Sequence, residues 1–316
     1  MANVGRDRGQ LILVTGLLVA VAIVALVVLL NTAIYTENLA SRGADQSGRE
    51  AIEFRSTVAD GVSGLIDAEN DREHGSQGAV EANVTAGIES IDDHVARDYG
   101  IGGVVVGIND STVNVHAGRL IRQNESGAFE GNAGGSDWVL ASGVADTRAF
   151  VLTVDRSSLN EANVTSASSS GAFHVLVDGG GPQWNVYVYR NRSTPNDVTV
   201  ATDAGGTVAE HCTVDASEVT IDVTGGTVGG NACPGLRWAE GASPPYDLEF
   251  RNGNNASGTY DLTVNTTTTG SVNDGRSNPT APYWVPAVYS VEFEAYYRSP
   301  TLAYRTTVRV APGEPE

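Results

Sequence analysis

The chain of 316 residues carries 19 basic against 38 acidic side chains, a formal net charge of −19, and every one of its basic residues is arginine. With no lysine there is no Walker A phosphate loop, no Schiff-base nucleophile and no lysine general base. The acidic balance also argues against nucleic acid as a partner, because phosphate binding rests on the release of counterions to a basic surface.

The first element is set by hydropathy. Residues 11–30 form an apolar run broken only by Thr15 and Gly16. A run of roughly 20 apolar residues at about 1.5 Å per residue covers about 30 Å of hydrocarbon, so residues 11–35 are expected to be a transmembrane helix with the lipid bilayer as partner. Arg6 and Arg8 precede the run and Glu37 follows it. That bias assigns residues 1–10 to a short cytoplasmic N-terminus and the bulk of the chain to the extracellular side of a single-pass protein. The run passes into Asn31, Thr32, Ala33, Ile34 and Tyr35 rather than a small-residue cleavage site, which argues against removal after the helix.

Residues 36–100 read as a helical stalk segment. Phe54, Val58, Val62, Leu65 and Ile66 recur at steps of three and four, as do Val84, Ile88, Ile91 and Val95. The segment DREHGSQGA between them reads as a helix-to-helix turn. Gly48, Gly61 and Gly64 each weaken the first helix by about 1 kcal/mol relative to alanine, so it is expected to bend or to be held by packing.

Beyond residue 101 the period changes to two. Short β-branched runs such as AFVLTV, QWNVYVYR and DVTVATD alternate with Gly, Asn, Asp and Ser clusters, and predict a β-rich extracellular domain over 101–316. In AVYSVEFEAYYR, Tyr289, Val291, Phe293, Ala295 and Tyr297 share one face, and in LAYRTTVRVA so do Tyr304, Thr306, Val308 and Val310, with RSPTLAY as the turn between the two strands. One face buried and one wet is the pattern of an antiparallel sheet. Residues 123–137 and 265–282 read as linkers. The fold class expected is α+β: a transmembrane helix, a short helical segment, and a mainly antiparallel, sandwich-like β domain.

The two cysteines, Cys212 and Cys233, flank a strand-like EVTIDVT, and outside the membrane they read as a disulfide that closes a hairpin edge. Zinc is the competing reading, because His211 adjoins Cys212, although the further ligands of a four-coordinate site are not evident.

Catalytic motifs are sparse. IDDHVARD invites an acid/base reading, but on a helix Asp93 pairs with Arg97 and His94 with Asp98 four residues on, as on a solvated face. DAENDRE alternates acidic oxygens like a calcium loop, yet Arg72 and Gly78 occupy the positions that need glycine and glutamate. The five histidines, at 74, 94, 116, 174 and 211, lack H-x-x-x-H spacing, and there is no G-x-S-x-G. No catalytic, cofactor-binding or metal-ligating residue is assigned, and the chain is not expected to be an enzyme. Seven N-x-S/T sequons, at Asn83, Asn109, Asn124, Asn163, Asn191, Asn255 and Asn265, are candidate glycosylation sites.

Arg6-Asp7-Arg8-Gly9-Gln10, followed at once by the apolar run and LLNTAIY, resembles the class III signal of archaeal type IV pilins and archaellins. The resemblance implies cleavage between Gly9 and Gln10 by a membrane peptidase, and an apolar helix that leaves the membrane and bundles with other pilin-like subunits into a filament core. Val14 stands where many bacterial-type pilins keep a glutamate, a residue that archaellin-like helices also lack. The lysine-free, Asp-, Thr-, Val- and Gly-rich composition resembles that of haloarchaeal single-span surface proteins, where multimolar salt shortens the Debye length to about 3 Å or less and lets acidic surfaces coexist. Together these readings point to a membrane-anchored cell-surface protein serving structure, adhesion or assembly. A permanently anchored binding module and a membrane-tethered hydrolase are its rivals.

Overall fold

The computed structural model describes residues 4–278 and 280–315, with the side chains of 4–15, 18, 33–45, 210 and 211 outside that description. Two helices come first. Helix α1 (Val4–Asp71) runs unbroken for 68 residues, about 100 Å, and α2 (Gln77–Ile101) folds back beside its C-terminal part. Ser76 caps α2 by accepting the Ala79 N–H at 3.2 Å. The strands follow as β1 (Val105–Ala128), β2 (Trp138–Val144), β3 (Thr147–Asp155), β4 (Glu161–Ala162), β5 (Phe173–Asp178), β6 (Trp184–Asn191), β7 (Asp197–Ala204) and β8 (Val208–Asp215). The rest are β9 (Glu218–Asp222), β10 (Thr227–Val228), β11 (Asn231–Ala232), β12 (Tyr246–Arg251), β13 (Ser257–Val264), β14 (Asn273–Asp274), β15 (Tyr283–Arg298) and β16 (Ala303–Val310).

They form two sheets. The larger runs β11-β10-β9-β3-β13-β1-β15-β14, with β16 on β15, and the smaller runs β2-β12-β5-β6-β7-β8, with β4 on β6. One core lies between the sheets and contains Phe129, Phe150, Phe173, Trp184 and Phe250. Phe250 alone has ring neighbours in Phe129, Trp138, Phe150, Phe173 and Tyr260, with centroids 5.0–6.3 Å away. A second core lies between the helical hairpin and the larger sheet. Phe54, Val58, Val62 and Ile66 of α1 meet Val84 and Ile88 of α2 and Val291, Phe293 and Tyr297 of β15. These are the faces that the helical and strand periodicities predict.

The glycines in α1 do not break it. Gly61 admits Ile91 of α2, and a Cβ on Gly87 of α2 would come within 2.5 Å of Leu65, so small residues set the close approach of the two helices. The alternation in β15 fails at one place: Ser290, expected on the wet face, is buried because both sides of the strand are covered there.

Several expectations need correction. The transmembrane helix over 11–35 is overturned: among the described residues no helix is long and apolar enough to cross a membrane. The described apolar side chains between positions 17 and 30 span only about 20 Å, and the helix continues without a break into a polar, packed segment. Residues 11–15 and Leu18, which complete the predicted span, have side chains outside the described set. The fold class is accordingly mostly β, two sheets carrying a helical hairpin, rather than a membrane span followed by separate stalk and β parts.

The linkers are structural. β1 continues to Ala128 and delivers Phe129 into the core, while residues 265–282 contribute β14 and backbone bonds from Gly270 to Leu140 and from Ser271 to Val139. β1 runs as one strand through VVGI and STVNVHA, and its pairing with β15 tolerates irregularities at Asn109/Asn114 and at His116/Ala117. The disulfide forms, with Cα atoms 6.0 Å apart, but it does not close a hairpin. Cys212 lies in β8 at an edge of the smaller sheet and Cys233 directly follows β11 at an edge of the larger one, so the bridge ties the two sheets together.

Candidate functional site

Two features of α1 stand apart from an ordinary core helix. Its described apolar side chains between positions 17 and 30 are uncovered, with Val21, Ile23, Val24, Leu26, Val27, Val28 and Leu29 all more than half exposed. Successive helical residues are about 100° apart, so these side chains surround the helix. A helix that is apolar all round is stable only when enclosed by other apolar groups.

The C-terminal end of the same helix is bolted into the β body. At the irregularity in the β1/β15 ladder His116 faces Ser290 and Ala117 faces Val288, so Tyr289 has no cross-strand partner in β1. Backbone groups left over at such a bulge need other partners. Asn70, in the last turn of α1, supplies them: its Oδ1 accepts the Val288 N–H at 2.8 Å and its Nδ2 donates to the Val288 carbonyl at 3.0 Å. The amide therefore takes the place of a strand neighbour.

Arg148, only 1% exposed, completes the joint. It donates through Nε to the Tyr289 carbonyl at 2.8 Å, through Nη2 to the Val288 carbonyl at 3.0 Å, and through Nη1 to the Pro312 carbonyl at 2.7 Å and to Asp67 of α1 at 3.3 Å. Burial pulls its pKa down and Asp67 partly offsets this, while burial pushes Asp67 up against the opposing pull of Arg148. A second arginine, Arg122 of β1, binds Asp261 and Glu73 at 2.8 Å each and approaches Asp71 at 3.4 Å. Burial lowers its affinity for the proton, but the bonds from Asp261 and Glu73 outweigh that and leave its pKa above the ordinary value. Tyr283 donates to the same Glu73 at 2.7 Å, and burial together with that carboxylate pushes its pKa up to about 12. Asp67, Asn70, Asp71, Arg122, Arg148 and Asp261 line a cavity of about 450 Å³ at the end of α1.

The C-terminal tail shuts one side of the socket. Ala149 donates to the Gly313 carbonyl, and Glu314 accepts from Arg309, whose Nη2 lies 2.9 Å away, and from Tyr289 at 2.8 Å. The bond from Arg309, which outweighs the burial penalty, and the bond from Tyr289 hold the Glu314 carboxyl below its usual range.

The acidic run DAENDRE is thus the socket side of α1, with Asp67, Asn70, Asp71 and Glu73 each engaged, and it is not a cation loop. Glu69 accepts from Arg72 at 2.6 Å and lies 2.9 Å from His74. Asp93 and Arg97 pair at 3.3 Å on an exposed face as expected, but His94 approaches the Ser90 carbonyl at 2.7 Å rather than Asp98. Asp92, which sequence reasoning passed over, accepts the Ile108 N–H at 2.6 Å and pins α2 to β1. His116 sits beside Asn114, and His174 stacks on Tyr187 at 4.6 Å with its pKa lowered by burial. The zinc reading of Cys212 and Cys233 is displaced by their disulfide, and among the described residues no group of His, Cys, Asp and Glu could hold a metal ion. The side chain of His211 lies outside the description, as do those of Gly9 and Gln10, although their backbone is part of α1.

Of the sequons, Asn83 and Asn124 are exposed, and Asn109 and Asn265 are half-buried. Several of these side chains are occupied: Asn124 donates to the Tyr283 hydroxyl at 3.1 Å, Asn109 accepts from Ser111 at 2.8 Å, Asn163 accepts from Ser166 and Thr165, Asn191 accepts from Ser193, and Asn255 donates to the Gly171 carbonyl at 2.8 Å.

Residues 5–134 match the model of a family of unknown function, DUF7261. That stretch takes in α1, α2 and β1, and with them Asn70 and Arg122, but ends before Arg148. No curated protein and no solved structure matches the chain.

Two expected outcomes test the socket. Asn70→Ala leaves the buried Val288 N–H without its partner and should cost about 2 kcal/mol of unfolding free energy, read as a lower denaturant midpoint at unchanged slope. For Glu314 the sign follows from its depressed pKa: its stabilisation is present above the unfolded value near pH 4.3 and is lost as pH falls through the folded value. Glu314→Gln should therefore flatten the decline in midpoint below about pH 4.5.

Proposed function

We propose that the chain is a structural subunit that assembles through the exposed apolar part of α1, packed side by side against the same segment of other copies, and displays the β body outward. The observation that carries this reading is the uncovered apolar circumference between Leu17 and Leu30 on a helix whose other end is fixed in a rigid domain. One neighbour covers only a fraction of such a circumference, so the geometry favours a bundle of several helices over a dimer.

Three further features support it. From Gln10 to Thr36 the sequence carries no Asp, Glu, Arg or His, so a cut after Gly9 would remove Arg6, Asp7 and Arg8 and leave an uncharged rod able to sit among its own kind. The disulfide fits an oxidising, extracytoplasmic setting, and the exposed sequons at Asn83 and Asn124 fit a cell-surface protein.

The chain has two cysteines, both used in the disulfide, so an added thiol reports proximity cleanly. Full-length Val24→Cys should give interchain disulfide-linked dimers on mild oxidation, within particles much larger than a monomer by light scattering. Val24→Asp combined with Val27→Asp should yield monomers with unchanged circular dichroism. A dispersed wild-type monomer in detergent-free buffer would overturn the reading, and so would uptake into liposomes with no interchain cross-link.

A further inference from the structure

Away from the socket, on the larger sheet, two guanidinium groups crowd one indole. The Cζ of Arg119 in β1 lies 3.4 Å from the ring centroid of Trp284 in β15, and the Cζ of Arg276, just past β14, lies 4.8 Å from it. Register puts them there. β1 pairs Arg119 with Pro286 and Ile121 with Trp284, so Arg119 and Trp284 are diagonal neighbours, and β14 pairs Asp274 with Trp284 from the other side. Gly275 allows the close approach, because a Cβ at that position would come within 2.6 Å of Tyr283 and 3.0 Å of the Trp284 carbonyl.

The charges do not balance. Asp274 is held by Arg276, which donates to it through Nε at 2.8 Å and through its backbone N–H at 3.1 Å. Arg119 makes no hydrogen bond to that carboxylate: its Nε and Nη1 are buried with no hydrogen-bond partner among the described residues. Stacking on an indole face satisfies part of its charge but none of its in-plane N–H groups, and an unpartnered buried donor on a cation is costly. Burial, reinforced by Arg276, lowers the pKa of Arg119, and Asp274 only partly counters this. Beside the three side chains opens a cavity of about 180 Å³, whose wall also includes Gln77, Thr267 and Pro286. At about 30 Å³ per molecule it is equivalent to roughly six waters, enough for a short organic acid.

We propose that this cavity is a binding site for a small carboxylate, held between the guanidinium groups of Arg119 and Arg276 against the indole of Trp284. A planar, two-oxygen anion matches the planar guanidinium groups that line the cavity and supplies the negative charge that Arg119 lacks, Asp274 being held by Arg276. In a chain of net charge −19, a locally cationic pocket that binds an anion is a selective feature and not general surface attraction.

The test uses the full-length chain, with sodium acetate or sodium succinate replacing sodium chloride at constant ionic strength and tryptophan emission as the readout. The expected result is a saturable change that disappears in Trp284→Phe and shifts at least tenfold to higher concentration in Arg119→Gln with unchanged circular dichroism. If Arg119→Gln does not fold, Arg276→Gln at the exposed rim decides, with a shift of threefold or more expected. A linear response overturns the proposal, as does a titration that is the same in wild type and Arg276→Gln. Equal saturation by chloride against a perchlorate background also overturns it, because that marks a halide site.

Discussion

A strand that bulges leaves peptide groups without partners, and in a buried setting those groups must be answered by something. In this protein the answer at Val288 and Tyr289 comes from outside the sheet, from Asn70 at the end of α1 and from the buried Arg148. The position and direction of α1 depend on that exchange. With Asn70 fixed on β15, the Phe54, Val58, Val62 and Ile66 face falls on the sheet, α2 closes the hairpin over β1, and the described apolar side chains between positions 17 and 30 stay uncovered.

The surroundings make the joint stiff. Asp67, Asp71 and Glu73 bring carboxylates from the helix end to two arginines that project from strands of the larger sheet, and the tail from Pro312 to Glu314 closes over Arg148 and Tyr289. Removing the partners of the buried Arg148 would leave its charge uncompensated, which costs more than the network's net contribution to stability. Behind the socket, the two sheets share an aromatic core, and the disulfide joins their edges at β8 and β11. A load applied to the rod therefore reaches the β body through the packed face of α1 and through the joint at Asn70.

Much of this is legible in the sequence wherever apolar spacing carries the information. The helical faces of the hairpin, the alternating faces of β15 and β16 and the pairing of the two cysteines all follow from period and count. What escapes is placed by polar side chains and by close backbone approach. Asn70 sits in an acidic run that reads as solvated helix surface, and nothing local marks it as the partner of a peptide 218 residues away. Gly- and Asn-rich stretches around Phe129 and Gly270 read as linkers, since turn composition does not reveal that a single phenylalanine or a contact too tight for a Cβ fixes them to the core. A membrane span read from residues 11–30 rests on hydropathy, which registers how apolar a stretch is but not where the helix continues or what its far end is anchored to.

Joined at Asn70, α1 from Ala51 onward and the central part of β15 should open as one cooperative unit. Native-state hydrogen exchange resolved to single amides measures this most directly. The prediction is that the amides of Val58, Val62 and Ile66 and that of Val288 exchange with the same opening free energy and the same denaturant dependence. Low-energy exchange of the α1 amides while β15 stays fully protected would contradict it, because the helix would then be an appendage and not part of the body.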